Sequence, residues 1–384
     1  MKKEWKRFLL LLAIFLTAYF LPIRNENVQK AILNAFEMLQ WYAVNHTLGC
    51  VVPAIFIAGA ISTFLSKETV LRCLGPNSNP VVSYGMASVS GILLAVCSCS
   101  VLPMFAGIYR IGAGLGPACA FLCSGPALNV MAIFLSARVL GLEMGVGRTV
   151  LAVTMSVLVG FFMAFIFRKS EKERVSRTML LPEPMEGTRK RRAWQTGLFL
   201  ASMVLFLIFS DWVSSENYPW SVIIFRNRGW ICLSILAALL VMVWRWFDRE
   251  EVTEWLEQTW SFAKTIVPLL FGGVFATGFL TSLLPQEMVA NYVGGNSASA
   301  NLISSSLGML WYFSTLSEIP MLEALRSLGM GDGPAMTLLL AGPTLSLPSL
   351  IVLGRFMDWK KTLIFAALIM LFAASGGWIF GKIF

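Results

Sequence analysis

Long uninterrupted apolar segments dominate this sequence, and they decide what it can fold into. Most are about 20 residues long, which as a helix matches the roughly 30 Å hydrocarbon core of a bilayer. Hydrophobic residues make up 57% of the chain and charged residues only 13%, against about 25% charged in soluble proteins. We therefore predict an all-α polytopic membrane protein. The apolar segments are 8–22, 48–65, 81–98, 117–137, 146–167, 194–212, 229–247, 262–284, 299–313, 335–354 and 361–381.

The net charge of +9 is interpreted through membrane topology rather than through nucleic-acid binding. The surplus Lys and Arg lie mostly in short loops, where positive charge marks the cytoplasmic side, and nine lie in the polar segment 168–193. The start, Met1 to Arg7 before an apolar run, resembles a signal peptide, but no small-x-small cleavage site follows it. We expect a retained first helix and a cytoplasmic N-terminus in an inner membrane.

Two amphipathic segments precede apolar ones. Residues 28–45 place apolar side chains at i, i+3, i+4 and i+7 spacing, and 248–260 shows a similar pattern. Such helices are typical of the membrane interface. We therefore predict that both are amphipathic helices lying in the membrane interface.

The chain repeats itself at an offset of 217 residues. Gly112-Ala-Gly-Leu-Gly-Pro-Ala returns as Gly329-Met-Gly-Asp-Gly-Pro-Ala, and Gly125-Pro126 returns as Gly342-Pro343. This predicts two transmembrane repeats, 1–167 and 225–384. A basic cytoplasmic linker, 168–193, and a linking helix with an external loop, 194–224, join them.

Charge also predicts how the repeats are oriented. If 81–116 and 299–333 each dip into the membrane and return to the same face, most Lys and Arg residues lie inside; if they cross, most lie outside. The positive-inside rule favours the first arrangement, which has about nine crossings and two re-entrant hairpins. An odd number of crossings then separates equivalent helices, so we predict inverted repeats, the architecture of many secondary transporters.

Matched Pro and Gly positions in the two halves indicate a midplane substrate site, because broken helices expose backbone groups that must face protein or water. Simple close packing of small residues is the alternative. The candidates occupy the two hairpin turns and the two broken helices. They are Pro103, Pro126, Asn129, Pro320, Pro343 and Ser346.

Two side-chain types stand out in the hairpins. Cys97 and Cys99 flank Ser98, and soft thiolates favour soft ions and metalloids, so they are candidate metalloid ligands; burial as small hydrophobic residues is the alternative. Glu318 places a carboxylate inside a predicted membrane hairpin, where ionisable residues usually bind a cation or carry a proton. A shallow, solvated hairpin tip is the alternative for Glu318.

The motif Cys97-Ser-Cys99-Ser-x-x-Pro103, followed by Gly112, Pro126 and Asn129, resembles the predicted bacterial permeases of the ArsP type. The second-half Ser317-Glu318-x-Pro320 and Gly342-Pro343 fit the same pattern. The resemblance covers about 50–360, outside the linker. It implies a permease, and within that family trivalent organoarsenicals such as methylarsenite are the best-supported substrates. Cys97 and Cys99 match the family motif.

We therefore predict a permease that works by alternating access without ATP, with no enzymatic activity and no cofactor. Its partners are a small-molecule substrate and the lipid bilayer, and no nucleic acid is expected. The sequence does not decide whether the chain forms a homo-oligomer. Cys97 and Cys99 would supply soft ligands and Glu318 charge compensation or proton coupling. A permease for another small solute, such as a metal ion or sulfur compound, and a membrane thiol-redox protein using Cys97 and Cys99 are the alternatives. Hydrogen bonds to the substrate would come from Ser98, Asn129, Ser314, Thr315, Ser317 and Ser346.

Overall fold

The chain is described by a computed structural model. The described residues are 25–64, 74–75, 78–94, 98–128, 130–171, 173–174, 193–210, 212, 219–282, 292–310 and 318–384. Helices make up almost all of this part of the chain, and it contains no strand. The prediction of an all-α protein is confirmed.

The first half begins with a long helical segment and continues with shorter helices. Helix α1 runs into a π-helical stretch at Ala43–Val51, which leads directly into α2. The helices of this half are α1 (Glu26–Tyr42), α2 (Val52–Phe64), α3 (Pro80–Leu94), α4 (Ser98–Ile111), α5 (Leu115–Ala127), α6 (Val130–Val139) and α7 (Leu142–Ile166). Helix α8 (Ala193–Ser210) follows the linker and packs against α2.

The second half has the same order of elements. Its helices are α9 (Pro219–Trp246), α10 (Arg249–Ser282), α11 (Ala298–Leu310), α12 (Glu318–Ser327), α13 (Asp332–Thr344), α14 (Leu347–Phe356) and α15 (Trp359–Ile383). The last three of these begin and end at the same repeat positions as α5, α6 and α7, 217 residues earlier. The sequence repeat is therefore also a repeat of helix boundaries.

Backbone geometry repeats along with the boundaries. Gly112 and its equivalent Gly329 both have positive φ, 121° and 105°. Gly112 lies in the turn before α5, and Gly329 lies in the turn before α13. Gly141 has φ 110°, and its equivalent Asp358 has φ 75°. Asp358 is the sole non-glycine residue with positive φ in the described ranges, and its side chain accepts a hydrogen bond from the Trp359 amide at the start of α15.

The two amphipathic segments are helical, as predicted, and each is continuous with the apolar helix that follows it. Residues 28–45 continue without a break into α2, and 248–260 form the first part of the 34-residue α10. The apolar stripe of α1 packs on α10: Ala35 lies against Gly278 and Tyr42 against Phe271. Packing against the other half, rather than against lipid alone, accounts for the apolar stripe.

Five described helices are long and apolar enough to cross a membrane. A sixth span results if α13 and α14, which meet at a 44° bend, count as one broken helix. The helices α3 and α4 have 15 and 14 residues, so each is only about 22 Å long. Neither is long enough to cross a core of roughly 30 Å by itself.

Equivalent helices of the two halves pack against each other in opposite directions. Gly147, near the start of α7, lies against Phe380, near the end of α15. At the other end of this pair, Glu171, beyond the end of α7, contacts Lys361 at the start of α15. The α10 helix likewise runs antiparallel to α1 and α2, with its Trp255 indole donating to the Phe56 carbonyl (2.9 Å).

Candidate functional site

A buried arginine lies where the first half meets the second. Arg148 is in the second turn of α7, and its side chain is fully buried. Its Nε donates to the carbonyl of Ala127 (3.2 Å) and its Nη1 to Ser136 Oγ (2.9 Å). Ala127 is the last residue of α5, so the cation lies at a helix C-terminus, where the helix dipole favours positive charge.

The third donor of Arg148 reaches across to the second half. Its Nη2 lies 3.2 Å from Oε2 of Glu318, and both side chains are fully buried. Glu318 is the first residue of α12, a position where the helix dipole favours negative charge. Two helix ends and one ion pair therefore form a continuous line of charge between the halves.

The second carboxylate oxygen of Glu318 has no such partner. Its Oε1 is buried and makes no hydrogen bond with any residue that the structure describes. Leaving a buried acceptor unsatisfied costs about 1–3 kcal/mol, and more when the group is charged. A proton on Oε1 would remove the charge, and a donor from a bound molecule would supply the missing hydrogen bond.

The predicted site residues fall into two groups. Pro103, Pro126, Pro343 and Ser346 are buried, and Ser346 caps α14 by accepting a hydrogen bond from the Ser349 amide (3.4 Å). Pro126 directly precedes Ala127, whose carbonyl accepts a hydrogen bond from Arg148. Since Arg148 also pairs with Glu318, it links the predicted helix break after α5 to that carboxylate. Five of the other predicted residues lie outside the described residues: Cys97, Asn129, Ser314, Thr315 and Ser317. Three more are described only by their backbone, Ser98 and Cys99 in α4 and Pro320 in α12.

Sequence reasoning missed Arg148. It is the third residue of the predicted span 146–167, close to one membrane surface, where an arginine usually extends to the headgroups. The available signal was the repeat itself, because the equivalent position holds Phe365, a side chain that is fully buried. Because Phe365 is buried in the second half, its repeat equivalent Arg148 is expected to be buried in the first half.

A second charged cluster joins the halves at the other end of α7. The Glu171 carboxylate accepts from Lys361 Nζ (2.6 Å), Tyr109 Oη (2.9 Å) and Arg174 Nε (2.9 Å). Burial acts to raise the pKa of Glu171, but Arg174 and Lys361 outweigh it and lower that pKa below its ordinary value. Glu171 and Arg174 belong to the predicted linker 168–193, whose residues 168–171 and 173–174 are helical.

The two clusters differ in what their carboxylates can do. Glu171 has two cations and a phenol on its oxygens, so it is held in the charged form. Glu318 has one cation and one unsatisfied oxygen among the described residues. Among the described residues, Glu318 therefore has an oxygen that is open to a further hydrogen bond, whereas both oxygens of Glu171 are paired.

Comparison with known proteins defines the class to which this membrane-embedded helical fold belongs. The family of predicted permeases called ArsP_1 matches residues 8–382. The chain belongs to this predicted permease family and is a membrane permease. The family assigned from the sequence motifs is confirmed.

Relatives of the chain span nearly its full length. The UPF0718 protein MJ0584 of Methanocaldococcus jannaschii is 39% identical over 363 residues, which cover 93% of this chain and 97% of the relative. The UPF0718 protein YraQ of Escherichia coli is 24% identical over 366 residues, covering 93% and 85%. No solved structure matches the chain.

Proposed function

We propose that this permease is a proton-coupled secondary transporter that exports a small soft solute, with a trivalent organoarsenical such as methylarsenite as the leading candidate. The main observation that supports this proposal is the buried Arg148–Glu318 ion pair between the two halves. The ion pair can be broken by one proton, and breaking it removes a charge contact between the halves. A transporter that works by alternating access needs such a contact.

Inverted repeats are part of this proposal. Antiparallel packing of α7 on α15, and of α1 and α2 on α10, supports a two-fold axis perpendicular to the helices. With the helices across the bilayer, that axis lies in the membrane plane, as in inverted-repeat transporters.

The proposed hairpins have support at their bases. The Gly114 amide donates to the Leu74 carbonyl (2.7 Å), so the chain before α3 meets the chain after α4. In the second half, the Gly331 amide donates to the Val293 carbonyl (3.2 Å). Both contacts support segments that enter and leave the membrane on one face, and with them the count of nine crossings.

Proton coupling follows from the chemistry of the ion pair. Arginine stays charged at all relevant pH values, so Glu318 is the member of the pair that titrates. A proton on Glu318 cancels its charge and leaves a buried arginine without its counter-ion, which costs several kcal/mol. The protonated protein therefore favours an arrangement in which Arg148 finds water or another anion, and this drives the halves apart.

The substrate class comes from the hairpin motif. Cys97 and Cys99 offer two soft ligands for trivalent arsenic, with Ser98, Asn129, Ser314, Thr315, Ser317 and Ser346 as hydrogen-bonding groups. Pro103, Pro126, Pro320 and Pro343 would shape the cavity by interrupting the helix hydrogen bonds around it.

Uptake of methylarsenite and of arsenite into everted membrane vesicles tests the proposal. Wild type is expected to accumulate methylarsenite, and Cys97→Ser/Cys99→Ser to lose that accumulation. Cys50→Ser/Cys232→Ser is the matched control, since it removes two thiols outside the hairpins. Transport that survives in Cys97→Ser/Cys99→Ser would favour another solute, and the absence of any accumulation would remove the arsenical assignment.

A further inference from the structure

A cavity of about 530 Å³ opens beside the Glu171 cluster, at the end of the protein where residues 168–174 follow α7. It lies between the halves: Tyr109 and Arg174 line it from the first, and Arg355, Asp358, Trp359 and Lys361 from the second. Its volume is in the range of small-molecule sites.

Positive charge exceeds negative charge around this cavity. Arg174, Arg355 and Lys361 line it, while Asp358 is the only carboxylate among its lining residues. Glu171 beside it pairs with both Arg174 and Lys361. Three cations against two carboxylates leave one positive charge in excess.

The donors are partly available for a ligand. The Lys361 ammonium has three N–H groups, and its described hydrogen bonds use two of them, to Glu171 and to Tyr109. Arg355 makes no ion pair within the described ranges and is exposed. The Lys361 side chain is only 11% exposed, and a charge removed from water in this way attracts an anion more strongly than one on an open surface.

The repeat provides an internal control for these charges. Positions 141, 142 and 144 are equivalent to 358, 359 and 361, and they hold Gly141, Leu142 and Met144. Both junctions have the same helix boundaries and positive φ at the same position, so the fold does not require the charges. Asp358 even adopts a conformation that is nearly restricted to glycine, and such strain is found mainly at functional sites.

We propose that this cavity binds a phosphate group, either as a free anion or as the headgroup of an anionic lipid. A phosphate offers several acceptor oxygens to Arg355 and Lys361, and arginine binds such groups through paired N–H donors. The cavity lies at the start of the spanning helix α15, beside the exposed Trp359 and Lys360. Trp and Lys at the end of a span are typical of the headgroup region.

Thermal unfolding of the purified full chain tests the site. One arm adds inorganic phosphate in neutral detergent, against chloride at equal ionic strength. The other compares phosphatidylcholine vesicles with and without phosphatidylglycerol. A ligand that binds only the folded protein raises its Tm, so wild type should be stabilised in at least one arm, and the arm that responds identifies the source of the phosphate.

Arg355→Gln is the test variant, because Arg355 is exposed and its loss leaves no described contact broken. We expect it to weaken phosphate binding about tenfold, as for the loss of one charged hydrogen bond. Arg138→Gln, the equivalent exposed arginine of the first half, should bind like wild type. No stabilisation in either arm, undiminished binding by Arg355→Gln, or an equal loss in Arg138→Gln would overturn the proposal.

Discussion

Arg148 and Glu318 form a fully buried ion pair between the two halves, at positions whose repeat equivalents are apolar. The equivalent of Arg148 is Phe365, and that of Glu318 is Val101, and both of these are buried. Since the same helices form with apolar residues there, the fold does not require the charges. A costly buried contact that occurs in one copy of the repeat and not in the other is best explained by function.

The energetic cost of separating this pair can be measured. Arg148→Met alone leaves a buried carboxylate without its cation, and we expect it to lower the free energy of unfolding by about 3–5 kcal/mol. Arg148→Met/Glu318→Gln removes both charges and should be more stable than the single variant. Thermal unfolding in detergent measures Arg148→Met, Glu318→Gln and the double variant, and a double variant whose loss equals the sum of the two single losses would contradict coupling.

The Glu171 cluster should make stability depend on acid pH. Since its pKa is lowered in the folded protein, its stabilising effect is complete above the ordinary carboxyl value of about 4.3 and is lost as pH falls through the lowered value. Glu171→Gln should be less stable at neutral pH and lack this part of the acid dependence. The exposed Glu173→Gln is the control, and an acid dependence unchanged in Glu171→Gln would contradict the assignment.

Close helix packing around α7 should not tolerate a methyl group. A Cβ on Gly160 would come within 2.6 Å of the Gly116 carbonyl oxygen and 2.8 Å of the Tyr84 ring. We expect Gly160→Ala to destabilise the protein by about 1–3 kcal/mol, as overpacking does. Gly197→Ala, with no neighbouring atom within 4 Å, should be neutral or slightly stabilising. Equal melting temperatures for the two variants would contradict the packing of α5, α3 and α7.

Topology can be tested with fusions. If the repeats are inverted, a fluorescent reporter inserted after 180 should be active in the cytoplasm, and a periplasmic phosphatase inserted near 215 should be active outside. The two insertion points flank the linking helix α8. A dark fluorescent reporter after 180 together with an inactive phosphatase near 215 would show the reverse sidedness and contradict the proposed count of crossings.

The sequence predicted the fold best where glycine and proline mark its breaks. The Gly-Pro pairs at 125–126 and 342–343 correctly placed the ends of α5 and α13, one or two residues before each helix ends, because proline removes a helix hydrogen bond and glycine favours non-helical backbone. For 28–45 and 248–260 periodicity predicted the helices but not the helix that each packs on, since it does not distinguish a lipid-facing stripe from one that packs on another helix.

For the site, the sequence indicated Glu318 but not its partner. A carboxylate in an apolar segment is conspicuous, whereas Arg148 lies near a span end, where arginine is common. Glu171 and Arg174 were hidden in a charge-rich segment. Only three-dimensional packing separates these two from the exposed charges around them.

Uptake into everted vesicles under an imposed pH gradient tests the central claim most directly. With the vesicle lumen more acidic than the medium, wild type should accumulate methylarsenite faster than without a gradient. Glu318→Gln, which cannot exchange a proton, should lose this stimulation, while Glu323→Gln, on the exposed face of the same helix, should keep it. Gradient stimulation in Glu318→Gln equal to that of wild type would contradict proton coupling through the Arg148–Glu318 pair.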